Sequence, residues 1–563
     1  MRFTPDLRTT IQPANPVMSV HAETDLSVHA GIAFDPALHS RSSNARLVRA
    51  LGIFAAYLAA VVILQIASGA YGAEFGSYPD EPAHYVTSLM IREYLTGPHP
   101  FQPLKFAENY YAHYPKVAFG HWPPFFYVVQ SVWMLLFSAA RASVRLELAC
   151  TTALLAFSVY LEAKRWVNEN AGILAGFLVA CLPLVQSSTD EEMAETLLVL
   201  TCFWSAVYLA RYMDSERWKD ALGFALFLSL AVLTKGSGWL LAMLPPMAAV
   251  LTRRIRVFFR LPFWAAVAVI SAVCLPWQFM TLQVAARGWT GGTGPTWHYT
   301  SKALVKFALI LIGSAGPVLS VLICAGIAVL LILPLVRKGY CEPAPAVMFA
   351  LIAADWLFHS LVPAGVENRK MIMAVPAMVL FAFAGGFAIA DRLPASPNFV
   401  HYRRAMTAAA VALCFFSQTF TIPRETHFGY TETARYITSN PELRHQTILA
   451  SSESLGEGLL ISEIAMRQPR PEDVIIRDTK ALADVDWTGT HYRSKFTTPD
   501  QLLHYIQRSH IGLLVTDTFP PLADFSHTEL LRKTIEQNPG HFRLLKTFSP
   551  ASASGQIRVF QVE

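Results

Sequence analysis

The chain has 563 residues, 53% of them hydrophobic and only 15% charged, against roughly 25% charged in an ordinary soluble domain. That balance argues against a soluble enzyme and reads as an integral membrane protein. The net charge of +5 is small, and the basic residues fall in short clusters between apolar runs, so no nucleic-acid partner is expected.

Residues 1 to 47 are polar and lack sustained periodicity, which predicts a disordered cytoplasmic tail. They do not read as a signal peptide, because the apolar run follows too late and no small-residue cleavage pattern ends it. Residues 48 to 422 read as a membrane domain. Runs of about 20 apolar residues can cross a ~30 Å hydrocarbon layer, and the sequence predicts about eleven of them. They centre on residues 51 to 70, 146 to 162, 171 to 187, 196 to 212, 219 to 233, 237 to 251, 263 to 279, 315 to 335, 346 to 362, 371 to 390 and 405 to 421.

Orientation follows from the basic clusters. Arg46 and Arg49 precede the first span, Lys164 and Arg165 follow the second, Arg211 and Arg217 the fourth, Arg253, Arg254 and Arg256 the sixth, Arg337 and Lys338 the eighth, and Arg392, Arg403 and Arg404 the tenth. All fall on one side if the N-terminus is cytoplasmic, as the positive-inside rule demands for a multi-pass protein of the cytoplasmic (inner) membrane. The agreement requires that HWPPFFYVVQSVWMLLF, 121 to 137, does not cross. This stretch reads as a helix in the outer interface, within an outer loop spanning 71 to 144, and its Trp122, Tyr127 and Trp133 suit that level.

Residues 423 to 563 have ordinary soluble polarity, and an odd number of spans puts them on the periplasmic side. Strand-like runs (TILASS, DVIIR, IGLLVTD, FRLLKTF, IRVFQV) alternate with helix-like ones, predicting a soluble α/β domain with a partly parallel sheet. It has neither GxGxxG nor a P-loop and is assigned no chemistry. All seven cysteines lie between Cys150 and Cys414 without CxxC spacing, which suggests neither a disulfide framework nor a zinc site.

Ionisable residues cluster at the outer ends of the predicted spans. YPDEPAHYVTSLM, 78 to 90, places Asp80 and Glu81 at the start of a helix, with Pro82 suited to its first turn. The positive end of the helix dipole would keep Asp80 ionised, as a general base must be; the plainer reading is an N-cap. QSSTDEEMAETLLVL brings Asp190, Glu191, Glu192 and Glu195 to the mouth of the fourth span, where the plainer reading is solvated loop acids. In VPAGVENRKMIMAVP, 362 to 376, Glu367, Arg369 and Lys370 head the tenth span. The positive-inside rule disfavours cations there, so an anionic partner such as a lipid phosphate is expected, unless the two simply snorkel to the interface. Lys235, in the outer turn LTKGSGW, poses the same question. His84, His113 and His121 share the first outer loop; with nearby acids they have donor chemistry for a divalent metal, the one cofactor considered, although loop histidines usually ligate nothing. No residue is assigned as a metal ligand.

The order of these features resembles the GT-C glycosyltransferases, in particular the protein O-mannosyltransferase and lipid A aminoarabinose transferase group, over about residues 48 to 392. The features are an outer DE pair, interfacial helices with HWPP opening the second, an acidic second outer loop, a TKG turn and a basic motif at the head of a late span. The resemblance implies a polytopic α-helical membrane protein with a C-terminal soluble α/β domain. It also implies transfer of a hexose or pentose from a polyprenyl-phosphate donor to an acceptor protein, lipid or glycan at the periplasmic face, by direct inverting attack.

On that resemblance Asp80 of the DE pair, with Glu81 beside it, is the catalytic base or acceptor-orienting group. Glu195, with Asp190 and Glu191 as rivals, shapes the site. Arg369, with Lys370 and Lys235, binds the donor phosphate. His84, His121, Trp122 and Trp289 would meet sugar or acceptor, Trp289 from the glycine-rich GWTGGTGPTW. The chain departs from the family where Lys370 replaces an aromatic and Trp122 replaces a basic residue. The rival reading is a transporter or flippase of a lipid-linked or anionic substrate, for which acids and bases at mid-depth and an inverted repeat would speak.

Overall fold

The computed structural model describes residues 36–98, 102–118, 120–289, 296–392, 427–484, 492–520, 525–550 and 554–563, with a few residues between 402 and 417. Of the expected tail, residues 1 to 35 lie outside the described part, and helix α1, Pro36–Ser68, already begins within the remainder. The first loop then folds into α2 (Glu81–Thr96), α3 (Pro103–His113) and α4 (Phe125–Leu136). At 12 residues, α4 is about 18 Å long, too short to cross a bilayer.

The bundle continues through α5 (Arg141–Trp166), α6 (Glu169–Cys181), α7 (Pro183–Asp190), α8 (Glu195–Ser215), α9 (Trp218–Thr234), α10 (Leu244–Thr252), α11 (Leu261–Trp289), α12 (Trp297–Ile327), α13 (Leu333–Lys338), α14 (Pro343–Leu361) and α15 (Val375–Arg392). Short 3₁₀ helices at Gly236–Met243 and Asn368–Ala374 lead into α10 and α15. Among the described residues seven helices are long and apolar enough to cross a membrane, eight if α6 and α7 form one bent span. Of the other expected spans, α9 has 17 residues, about 26 Å and near the lower limit for crossing. Gly236–Thr252 is also short, and 405 to 421 lies mostly outside the described residues.

Two expected spans take a different form. The run 171 to 187 is bent by 57° between α6 and α7. Pro183 forces the preceding Leu182 into extended backbone (ψ 134°), so the helix cannot run straight through. The span expected at 315 to 335 belongs to a longer helical run that begins at Trp297 and is broken at Gly316 (φ 72°), just before Pro317. The helix therefore extends N-terminal to the expected span, through residues 298 to 314.

Where helices cross closely, small residues make the contact. A Cβ on Gly326 of α12 would come within 2.0 Å of the Phe381 carbonyl oxygen, and one on Gly385 of α15 within 2.1 Å of the Leu322 carbonyl. Only hydrogen fits at either position, so the two backbones touch.

The C-terminal part forms a five-stranded sheet of order β2-β1-β5-β7-β6, with β1 Thr447–Ser451, β2 Val474–Arg477, β5 Leu513–Asp517, β6 Phe542–Phe548 and β7 Ile557–Val562. Strands β2, β1 and β5 are parallel, and β7 and β6 are antiparallel additions; β3 (Ala483–Asp484) and β4 (Arg493–Ser494) make a separate small pair. The alternation of the strands sorts the side chains. Ile448, Ala450, Leu513 and Val515 face one layer, while Leu449 and Leu514 face the helices Pro499–Arg508 and Ser526–Gln537. The first of these layers is shared: Phe75, Tyr85, Tyr110 and Tyr114 of the segment between α1 and α5 pack into one core with Tyr430, Leu459 and Ile557.

Candidate active site

Asp80 occupies the N-cap position of α2 with helical backbone angles (φ −80°, ψ −29°), yet its side chain makes no capping hydrogen bond. Its Oδ2 instead accepts from Arg369 Nη2 at 3.2 Å. The plain N-cap reading therefore does not describe this carboxylate. Glu81, one residue on, is wholly buried. Its Oε1 accepts from the Ser77 and Tyr78 amides at 2.7 and 3.2 Å, and its Oε2 from the Glu192 amide at 2.7 Å and from the buried Arg145 at 3.2 Å. Glu81 thus staples the first acidic loop to the second and does not line the cavity where the others meet; its expected catalytic part gives way to a positioning one.

Arg369 is the hub. It lies in the 3₁₀ turn Asn368–Ala374, and its side chain is 14% exposed. Nε donates to Glu367 Oε2 at 2.5 Å, Nη2 reaches Asp80, Nη1 lies 3.7 Å from Glu195 Oε1, and Cζ sits over the Tyr78 ring, 4.4 Å from its centroid. Glu195, the first residue of α8 and nearly buried, also accepts from Lys235 Nζ at 2.5 Å. Lys370 turns its ammonium onto the Ala364 and Gly365 carbonyls. Two carboxylates and two cations from four distant parts of the chain form one chain of ion pairs: Asp80, Arg369, Glu195, Lys235.

These groups line one cavity of about 580 Å³. Its other walls are His121, Trp122 and Pro123 ahead of α4, Trp277, Gln278 and Thr281 of α11, and Phe358 and His359 of α14. The space thus combines a cluster of charged side chains with aromatic, apolar and neutral polar groups, the mixed lining of a ligand pocket.

Of the remaining expected site residues, Asp190 ends α7 and is fully buried, Glu191 follows it as the C-cap, and neither lines the cavity, so of the three rival acids Glu195 is the one that meets Arg369. His84 is buried behind the cavity wall, stacked on Trp122 with ring centroids 4.4 Å apart and bonded through Nδ1 to the Tyr127 hydroxyl at 2.9 Å. It therefore supports Trp122 and does not itself face the cavity. Burial pushes its pKa down to about 4 against the opposing pull of Asp80, and burial likewise lowers His121 to about 4. His113 points away, to the Asp473 carbonyl oxygen at 2.9 Å. Among the described residues His84, His113 and His121 do not converge with acids on a common metal position. Trp289 ends α11 with its side chain outside the described part, as is most of the loop 288 to 297.

Sequence reasoning missed Tyr78 beneath Arg369 and the pair on α14, where His359 Nδ1 lies 3.0 Å from Asp355 Oδ1. The second had a readable signal: an acid and a histidine one turn apart within a span that is otherwise apolar.

The dolichyl-phosphate-mannose-protein mannosyltransferase family model matches residues 121–279. No curated protein sequence matches the chain. Among solved structures, the chain is similar to ArnT from Cupriavidus metallidurans in the apo state, with TM-score 0.56 and 14% identity over 91% of this chain and 98% of that one. The same protein bound to undecaprenyl phosphate matches with TM-score 0.53 and 14% identity, over 90% and 98%. The Archaeoglobus fulgidus oligosaccharyltransferase in its apo form matches with TM-score 0.54 and 12% identity, over 91% and 74%. The chain therefore has the GT-C fold of membrane glycosyltransferases.

Proposed function

We propose that the protein is a glycosyltransferase that moves a sugar from a polyprenyl-phosphate donor to an acceptor at the periplasmic face of the cytoplasmic membrane. The observation that carries this reading is the meeting of Asp80 and Arg369 at 3.2 Å on the rim of a cavity that Lys235 and Lys370 also line. The binding of undecaprenyl phosphate by the structurally similar ArnT supports the choice of donor.

In this reading the donor phosphate takes the cation side. Arg369 offers a planar fork to its oxygens, and Lys235 and Lys370 add charge that offsets the negative charge growing on the leaving phosphate. A phosphate on Arg369 competes with Asp80 for the guanidinium and so releases the carboxylate to receive the proton of an acceptor hydroxyl. That hydroxyl attacks the anomeric carbon directly, the bond to the phosphate oxygen breaks, and configuration inverts with no sugar bound covalently to the enzyme. Trp122, resting on His84, offers a flat face for the sugar.

Sidedness is supported by the opposite ends of the same helices. Arg211 pairs with Glu162 at 2.8 Å and Arg254 with Asp214 at 2.9 Å, gathering the basic clusters at one end. Glu195 opens α8 at the other end, about 24 Å away along the helix. With the basic end in the cytoplasm, the cavity opens outward. The test is to delete the gene in its host, restore either the parent or Asp80→Asn, and compare envelope glycans and glycoproteins by mass spectrometry. A hexose, pentose or amino sugar should vanish on deletion, return with the parent and stay absent with the variant. Full restoration by the variant would contradict the assignment.

A further inference from the structure

The geometry points to a zinc site at Glu74, His427 and Glu432, away from the cavity, where the outer loop meets the C-terminal layer. One carboxylate oxygen from each glutamate and a ring nitrogen of the histidine lie within 4.8 Å of one another. His427 Nε2 is already 3.2 Å from Glu432 Oε2. Ligand atoms around tetrahedral zinc, bound at about 2.0 to 2.2 Å, stand about 3.4 Å apart, so small side-chain rotations bring these three into a coordination sphere. The donor set of one imidazole and two carboxylates suits that ion, and the half-exposed His427 and Glu432 leave room for water at a fourth position.

The second observation is the state of Glu74. It is fully buried, and among the described residues no lysine or arginine lies within ion-pair distance of it. Its oxygens accept from the Thr431 and Phe428 amides, at 2.6 and 2.9 Å, and the Thr431 side chain also bonds to the carboxylate. A buried carboxylate held by two amides and a threonine side chain, with a second carboxylate close by and no lysine or arginine paired to it among the described residues, is in want of a cation. The amides hold it as a metal-bound carboxylate is usually held, oriented from behind. The segment is closely docked, since a Cβ on Gly76 would come within 2.6 Å of the Phe428 ring. Zinc here would fasten the loop that carries Asp80 to the helix Tyr430–Ser439.

The test uses full-length, tag-free protein without substrate, so it stands apart from the transferase reading. After treatment with a chelator, zinc binding is measured by competition with a zinc-responsive dye and by metal analysis, with magnesium as control. Parent protein should take up one zinc per chain. His427→Gln and Glu432→Gln, both on half-exposed positions that should not upset folding, should each weaken that uptake at least tenfold and abolish the rise in melting temperature that zinc gives the parent. Zinc uptake unchanged in both variants, or no uptake by the parent at micromolar zinc, would overturn the proposal.

Discussion

Asp80 and Glu81 are neighbours in the chain with opposite surroundings, and substitution should separate them. Asp80 faces the cavity and, among the described residues, forms its ion pair with Arg369 alone, so Asp80→Asn should leave the melting temperature nearly unchanged while transfer falls by about 10²- to 10⁴-fold, the usual worth of a positioned base. Glu81→Gln should do the reverse to stability: it removes one charge of a pair with both side chains fully buried, a loss of about 3 to 5 kcal/mol, visible as a lowered melting temperature in detergent. Equal stability of the two variants would refute this division of labour. The order of acids and bases was legible in the sequence, because charge at the ends of apolar spans is conspicuous. Which of two adjacent acids faces the cavity was not, since that depends on Arg145 and the Glu192 amide, both far along the chain.

His84 and His121 give the same scale a pH signature. Their folded pKa values, near 4, lie below the ordinary 6.5, so between those limits the unfolded chain binds protons that the folded one does not. Stability from these groups is present above about pH 6.5 and is lost as pH falls toward 4. Thermal midpoints measured across pH 4 to 7 should fall with acid, and His84→Gln should flatten part of that slope. A slope unchanged in the variant would show that His84 is not the group responsible.

At the scale of elements, close crossings and breaks decide the bundle. Gly326→Ala would force a methyl into the Phe381 carbonyl and should part α12 from α15, costing about 1 to 3 kcal/mol and lowering the melting temperature, whereas Gly52→Ala, with nothing within 4 Å, should be silent. Similar behaviour of the two variants would speak against the backbone contact. The five strands of the C-terminal sheet were readable because short apolar runs rich in β-branched residues alternate with polar turns. Hydropathy could not see the bend at Leu182–Pro183, where the run is apolar on both sides, although the proline itself was a signal. Nor could it assign Trp297 to the helix broken at Gly316, since a kinked helix and a loop followed by a helix have the same composition.

At the scale of the whole molecule, the C-terminal layer is not a detachable appendix. It shares a core with Phe75, Tyr85, Tyr110 and Tyr114, and Arg141 ties the two parts by an ion pair to Glu463 and a 2.9 Å bond to Thr431. Removal of residues 423 to 563 should therefore expose apolar surface and give an aggregating, unstable protein; a truncated chain that elutes as a single species and melts like the parent would contradict the shared core. The layer also packs against the loop that presents Asp80, so its loss should disturb that loop as well.

The central claim is that Asp80 and Arg369 act together on one lipid-borne sugar phosphate. The most direct measurement is turnover of a polyprenyl-phosphate-linked sugar by purified parent, Asp80→Asn, Arg369→Ala and the double variant. The account predicts that each single change lowers turnover by at least about 100-fold and that the double variant is far less impaired than the product of the two losses. Parental turnover in either single variant, or losses that simply multiply, would contradict it.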